Sequence, residues 1–139
     1  MTDTSNNSVL RRIVWEQIGF YGQKPTKSSA ISSGYELYSG YDYVIPSRGV
    51  QKVFTDIRLA IPPGYYGRLC SLSENILPNC LIVENTIVES TFRGNIAIKY
   101  FNFSDEEIVI KCGQKCALIT IENVTNTDII GGVLHEIGF

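Results

Sequence analysis

Two cysteines four positions apart, Cys112 and Cys116, and a single histidine, His135, are the side chains best suited to soft-metal or nucleophilic chemistry. A structural zinc site needs four such ligands, usually as two close pairs. Cys112-x-x-x-Cys116 has no second pair in register, so no metal site is expected. One histidine leaves no Ser-His or Cys-His constellation to activate a nucleophile. No G-x-x-x-x-G-K-[ST] loop is present to cradle a phosphate. The terminal run Glu136-Ile137-Gly138-Phe139 places apolar residues last and third from last. That suits strand addition to a PDZ-type groove, which captures a free carboxylate; a frayed or strand-packed end is the commoner reading.

The elements that must position any site follow from composition and punctuation. The chain has 139 residues, 44% hydrophobic and 19% charged, enough for one packed domain over 1–139. Its net charge of -2, from 12 basic and 14 acidic side chains, comes with no basic stripe, so phosphate-driven nucleic-acid binding is not expected. No apolar run approaches the roughly 20 residues that span a bilayer. Residues 1–8 are polar, read as a disordered tail, and carry no signal-peptide core. An intracellular location with free thiols is therefore expected.

Short strand-like runs fill the rest. Residues 9–20 read as a strand because β-branched and aromatic residues dominate. Residues 22–33 read as a loop. Runs at 35–38, 41–45, 53–61, 65–69, 108–111 and 117–124 are separated by turn residues. In 53–61 the alternation puts Val53, Thr55, Ile57, Leu59 and Ile61 on one face. Residues 81–88 and 95–103 flank Arg93-Gly94 as a hairpin-like pair. Many short strands with turn signals about 8–12 residues apart indicate a sandwich or barrel.

At this point a family resemblance appears. Ser33-Gly34-Tyr35-Glu36-Leu37-Tyr38-Ser39 is similar to the first motif of the trimeric dUTPases, A-G-Y-D-L-x-S. Residues 55–68 (TDIRLAIPPGYYGR) resemble the family's next strand and turn. Phe92-Arg93-Gly94 resembles the end of the third motif, and Lys111-Cys112-Gly113-Gln114-Lys115-Cys116-Ala117 the fourth. The resemblance implies an all-β, distorted jelly-roll or β-barrel subunit and a homotrimer with active sites between subunits. It also implies hydrolysis of dUTP to dUMP and pyrophosphate, with a carboxylate as general base and magnesium held by phosphates and waters.

Laid over those motifs, several site positions carry other residues. Glu36 stands at the Asp that supports the magnesium shell; the extra methylene moves the carboxylate by roughly 1.5 Å, about one C–C bond, and a solvated surface glutamate is the competing reading. Leu72 stands at the phosphate-binding Arg and cannot supply its charge-assisted fork. Ser73 keeps the hydroxyl that meets the phosphate bridge, or is a plain loop serine, while Glu74 brings repulsive charge. Thr86 stands at a Gly where backbone must approach the base. Glu89 stands at the water-activating Asp, and Phe92 at the Tyr under the deoxyribose; a core or hairpin aromatic is its alternative. Arg93 is retained. Leu118 stands at a phosphate-touching Gln, and Gln114-Lys115 at an Asp-Arg pair. Residues 125–139 form a C-terminal arm without the family's Gly-rich R-G-x-G-G-F-G-S-T-G lid.

These replacements imply a dUTPase-fold protein that has lost dUTP hydrolysis and acts as a trimeric binding or regulatory module, needing no cofactor. The alternative is an active or specificity-altered dUTP diphosphatase using Mg. A set of adenoviral early-region-4 proteins is similar in its I-P-P-G-Y-[FY]-G-R strand and eroded site, and binds PDZ domains through its ends. That resemblance implies a viral protein with a host partner at Glu136-Ile137-Gly138-Phe139.

Overall fold

The computed structural model of the chain describes residues 11–29, 34–76 and 80–137. The expected 1–8 tail, Ser33 of the first motif, and Gly138 and Phe139 of the terminal motif lie outside the described residues, as do the side chains of Glu74, Glu136 and Ile137.

Turn residues cut the chain into short strands: β1 Val14–Gln17, β2 Thr26–Lys27, β3 Gly34–Tyr38, β4 Tyr43–Ile45, β5 Val50–Phe54, β6 Ile57–Ala60, β7 Tyr65–Cys70, β8 Leu81–Val83, β9 Thr86–Val88, β10 Ala97–Asn102, β11 Ile108–Ile110 and β12 Lys115–Asn123. Two four-residue helical turns, α1 Ser73–Ile76 and α2 Leu134–Ile137, are the helical content of the described residues. A five-stranded sheet runs β9-β7-β12-β3-β2, a three-stranded sheet β5-β10-β8, and two ribbons pair β11 with β4 and β1 with β6. Every pairing is antiparallel. The expected all-β architecture is the one the chain adopts. Between the sheets Leu37, Ile45, Val53, Leu81, Ile98, Tyr100 and Ile119 form a core from which water is excluded. Each contributes on the order of 1.5–3 kcal/mol by burial.

Three elements depart from the sequence reading; the first is β2, a two-residue strand that pairs with β3 inside the expected 22–33 loop. The run 53–61 is not one strand. Its apolar face is buried as the alternation requires, but Asp56 takes a left-handed φ of 60° and separates β5 from β6, which join different sheets. Asn95 holds this break: its Oδ1 accepts the Asp56 N–H at 3.0 Å and its Nδ2 donates to Asp56 Oδ1 at 2.9 Å. The Asp56 carbonyl accepts the N–H groups of Ile18 and Gly19 at 2.8 and 3.2 Å. A Cβ on Gly19 would lie 1.8 Å from Asp56 Oδ2, so only glycine fits there.

The run 81–88 also divides. β8 pairs with β10, as a hairpin around Arg93-Gly94 requires. β9 leaves that sheet and pairs with β7, with Thr86 opposite Leu69 and Val88 opposite Gly67. One stretch of chain thus serves two sheets, and an open cleft lies where they part.

Candidate functional site

That cleft holds about 500 Å³ and is walled by β9, the 89–97 turn and the outer faces of β5 and β10. It falls within the size range of small-molecule sites. Three of the sequence-predicted residues line it: Thr86, Glu89 and Phe92. The turn is closed by the Phe92 N–H donating to the Glu89 carbonyl at 3.0 Å, which leaves the Glu89 side chain exposed. The Phe92 ring lies against Gly94, where a Cβ would meet ring carbon Cζ at 2.6 Å; Phe92 is exposed and lines the cleft. The Thr86 hydroxyl is turned back to the Glu84 carbonyl at 3.2 Å. Arg93 does not line the cleft. Its guanidinium donates to the carbonyls of Ser90 and Phe92 at 2.6 and 3.0 Å, bracing the turn.

The other predicted residues sit elsewhere in the chain. Glu36 is on β3, half-buried, with its carboxylate 3.2 Å from the Lys115 ammonium and 3.5 Å from the Thr26 hydroxyl. The first and fourth motifs meet here: the Ser39 N–H donates to the Gln114 carbonyl at 2.9 Å and the Gly113 N–H to the Ser39 carbonyl at 2.8 Å. The Gln114 side chain accepts the Lys111 N–H at 2.9 Å, so it fastens the turn. Ser73 is exposed at the start of α1. Leu72, one residue before it, is 4% exposed and faces inward. Leu118 is half-buried on β12, opposite Cys70 and Glu36.

Magnesium is the metal the family resemblance implies. Among the described residues no group of three or more His, Cys, Asp or Glu side chains is placed to hold a cation. The Glu36 carboxylate is already engaged by Lys115. The described side chains of this chain therefore do not by themselves fit a resident metal.

Three groups of the site were not legible in the sequence. Lys52 of β5 and Lys99 of β10 are register partners on the cleft wall, and Glu84 lines it beside them. Period-two alternation puts Lys99 outward between the buried Ile98 and Tyr100. Nothing in the local pattern marks it as facing a cavity. A second hollow of about 120 Å³, lined by Trp15, Tyr35, Leu59 and Ile119, carries none of the predicted site residues.

Arg68, within the IPPGYYGR stretch, is committed to structure. It meets Glu122 of β12 through Nε to Oε2 at 3.1 Å and Nη2 to Oε1 at 3.3 Å, and the Tyr66 hydroxyl adds a bond to the same carboxylate at 2.6 Å. The Arg68 guanidinium, then Tyr66 and Thr120, pull the Glu122 carboxyl down from its ordinary 4.5 to about 2.

Residues 21–131 match the dUTPase family model. The chain belongs to the dUTPase family. It is 37% identical over 105 residues to rat deoxyuridine 5'-triphosphate nucleotidohydrolase, a match covering 76% of this chain and 51% of the rat protein. It is 34% identical over 106 residues to the probable fission-yeast enzyme, covering 76% of each. It is 37% identical over 106 residues to the fowlpox virus enzyme, covering 76% of this chain and 73% of that one. The chain thus spans about half the length of the rat relative and about three quarters of the other two. Among solved structures, a mutant dUTPase of S. aureus phage phi11 superposes with a TM-score of 0.80 at 18% identity, covering 87% of this chain and 96% of that one. Staphylococcus bacteriophage 80alpha dUTPase superposes at 0.78 with the same identity and coverage. These likenesses establish the dUTPase-type fold.

Proposed function

We propose that this member of the dUTPase family does not hydrolyse dUTP efficiently and serves as a binding or regulatory protein that assembles as a homotrimer. The carrying observation is Leu72. At the position where the family resemblance calls for a phosphate-binding arginine, this chain has an apolar side chain that is packed away from solvent. The replacement is thus structural as well as chemical: the side chain cannot turn outward without emptying its place in the interior. Half-buried Leu118 offers no amide to a phosphate, and Glu36 is neutralised by Lys115. Loss of positioning and charge stabilisation together is worth several kcal/mol of barrier. The separation of Glu36 and Ser73 from the Glu89 cleft within one protomer accords with a site shared between subunits. Assembly through other copies, and a host protein engaged by Glu136-Ile137-Gly138-Phe139, belong to this reading.

The test is pyrophosphate release from dUTP with magnesium at micromolar protein. No release above background is expected. Turnover that disappears in Glu89→Gln would overturn the proposal.

One observation favours a second reading, an active or specificity-altered dUTP diphosphatase. The relatives are named as dUTP hydrolases at 34–37% identity, and a carboxylate and an aromatic ring still share the cleft in Glu89 and Phe92. There Glu89 would take the proton of the attacking water. A metal brought with the substrate would neutralise phosphate charge. Calorimetry with a non-hydrolysable dUTP analogue separates the two, since only this reading requires magnesium-dependent binding.

A further inference from the structure

We infer that the hollow between β1 and β3 binds a small apolar monocarboxylate, whose charge is met by Arg11 and Lys24 at its mouth. The walls are two cross-strand pairs from different sheets. Trp15 of β1 stands opposite Leu59 of β6, and Tyr35 of β3 stands opposite Ile119 of β12. All four line a space of about 120 Å³. Glu16 pairs with Arg58 at 3.1 Å. As the neighbour of Trp15 on a pleated strand, Glu16 lies on the opposite face, so this ion pair ties β1 to β6 without placing charge in the hollow. A further space of about 180 Å³ adjoins it, and Arg11, Ile13, Tyr35 and Ile121 line both.

The lining decides the ligand. Leu59 and Ile119 are buried, while Trp15 and Tyr35 are half-buried against the same core. Arg11 and Lys24 line the space and are themselves exposed. Long cationic side chains lay their stems on apolar surface and keep the charged end in water. Among the described residues no acidic side chain lines either space, and Lys24 forms no ion pair with any of them. An apolar body with a carboxylate at one end therefore matches both halves of the lining, whereas a cationic amphiphile would meet two like charges. Each space is smaller than the roughly 300 Å³ at which drug-sized sites begin, so the scale is that of octanoate and not of a nucleotide. Tyr35 and Glu36 are successive on β3 and face opposite sides. The hollow shares no lining residue with the Glu89 cleft and does not rest on the reading of that cleft.

Trp15 is the chain's one tryptophan, so its fluorescence reports on the hollow directly. The experiment is titration of the whole protein with octanoate, octanol and octylamine, following Trp15 emission. Octanoate is expected to give a saturable change below millimolar concentration, and octylamine none. Octanol should bind about tenfold more weakly than octanoate, the scale of one charge-assisted contact. Hexanoate should also bind roughly tenfold more weakly, for the two methylenes it lacks. Arg11→Gln and Lys24→Gln should each weaken octanoate by about tenfold and leave octanol unchanged, a split that a merely structural role would not produce. No saturable change at millimolar octanoate, equal affinity for octanoate and octanol, or equal loss of both ligands in the two variants each overturns the proposal. So does Trp15 emission that shifts on dilution without ligand, because a second copy then fills the hollow. If a variant fails to fold, amide shifts in the parent decide: changes centred on Trp15, Tyr35 and Lys24 support the site, and changes centred elsewhere overturn it. Turnover of dUTP would sink the preceding reading without touching this one.

Discussion

The Tyr100 hydroxyl donates a hydrogen bond to the carbonyl of Cys116 inside the core. Cys116 is the extra residue of a bulge in β12, where the register to β3 passes from Lys115 opposite Tyr38 to Ala117 opposite Leu37. A bulged residue drops out of the ladder and leaves its polar groups without a strand partner. In a buried position that carbonyl needs another donor, and Tyr100, itself 0% exposed, supplies it. The bulge sits in the fourth motif and lets Cys116 and Ala117 both point inward while Lys115 stays on the Glu36 side. Tyr100→Phe should therefore cost about 1–3 kcal/mol, the penalty of an unsatisfied buried acceptor. Urea denaturation gives the number; a change below 0.5 kcal/mol would mean that water replaces the hydroxyl.

Leu72 separates two ideas about the second motif. Its burial makes it a packing residue, so Leu72→Ala should destabilise by about 2–5 kcal/mol, the range for buried leucine truncations. Leu72→Arg should also destabilise, because an ionised guanidinium would be forced into an apolar place. Together with Leu118→Gln it should restore no pyrophosphate release. Denaturation midpoints and the turnover assay read both effects. A stable double variant that hydrolyses dUTP would show that only two side chains separate this chain from an active enzyme.

The resemblance in the motifs was legible because those stretches are turn and strand-end sequences with distinctive residues, such as Pro62-Pro63-Gly64. The buried face of 53–61 was legible from alternation alone. The split of that run was not, since the left-handed Asp56 is held by Asn95, a partner 39 positions away. The same limit explains the cleft. Glu89 and Phe92 could be named from motif order, but Lys52 and Lys99 became neighbours only through sheet register. The ion pair of Glu36 with Lys115 likewise depends on the pairing of β3 with β12, so a sequence reading of each residue alone assigned them separate roles.

The Arg68–Glu122 contact predicts the acid limb of stability. The folded-state pKa of Glu122 is depressed to about 2. A depressed carboxyl stabilises the fold at pH values above its unfolded value and loses that contribution as pH falls through the folded one. The loss should therefore run from near pH 4.5 down to near 2. Glu122→Gln removes the titrating group, so the variant should be less stable than the parent at neutral pH and should approach it at the acid end. Thermal midpoints taken between pH 7 and 2.5 check this. Parallel curves for the two proteins would show that the pair is screened by solvent and contributes nothing.

Cysteine chemistry offers a test of burial around the bulge. The described structure has four free thiols, with Cys116 buried and Cys70, Cys80 and Cys112 half-buried. Burial pushes the Cys116 thiol up to about 12, and the thiolate is the reactive form. At pH 8 with iodoacetamide, Cys70, Cys80 and Cys112 should be alkylated while Cys116 stays unmodified until denaturant is added. Tyr100→Phe should shorten that protection, because loosening the bulge exposes the sulfur through local opening. Peptide mass mapping over a time course gives the four rates. Alkylation of Cys116 at the rate of the other three in the folded parent would mean that the fourth motif is open to solvent, and the bulge could not then be held as described.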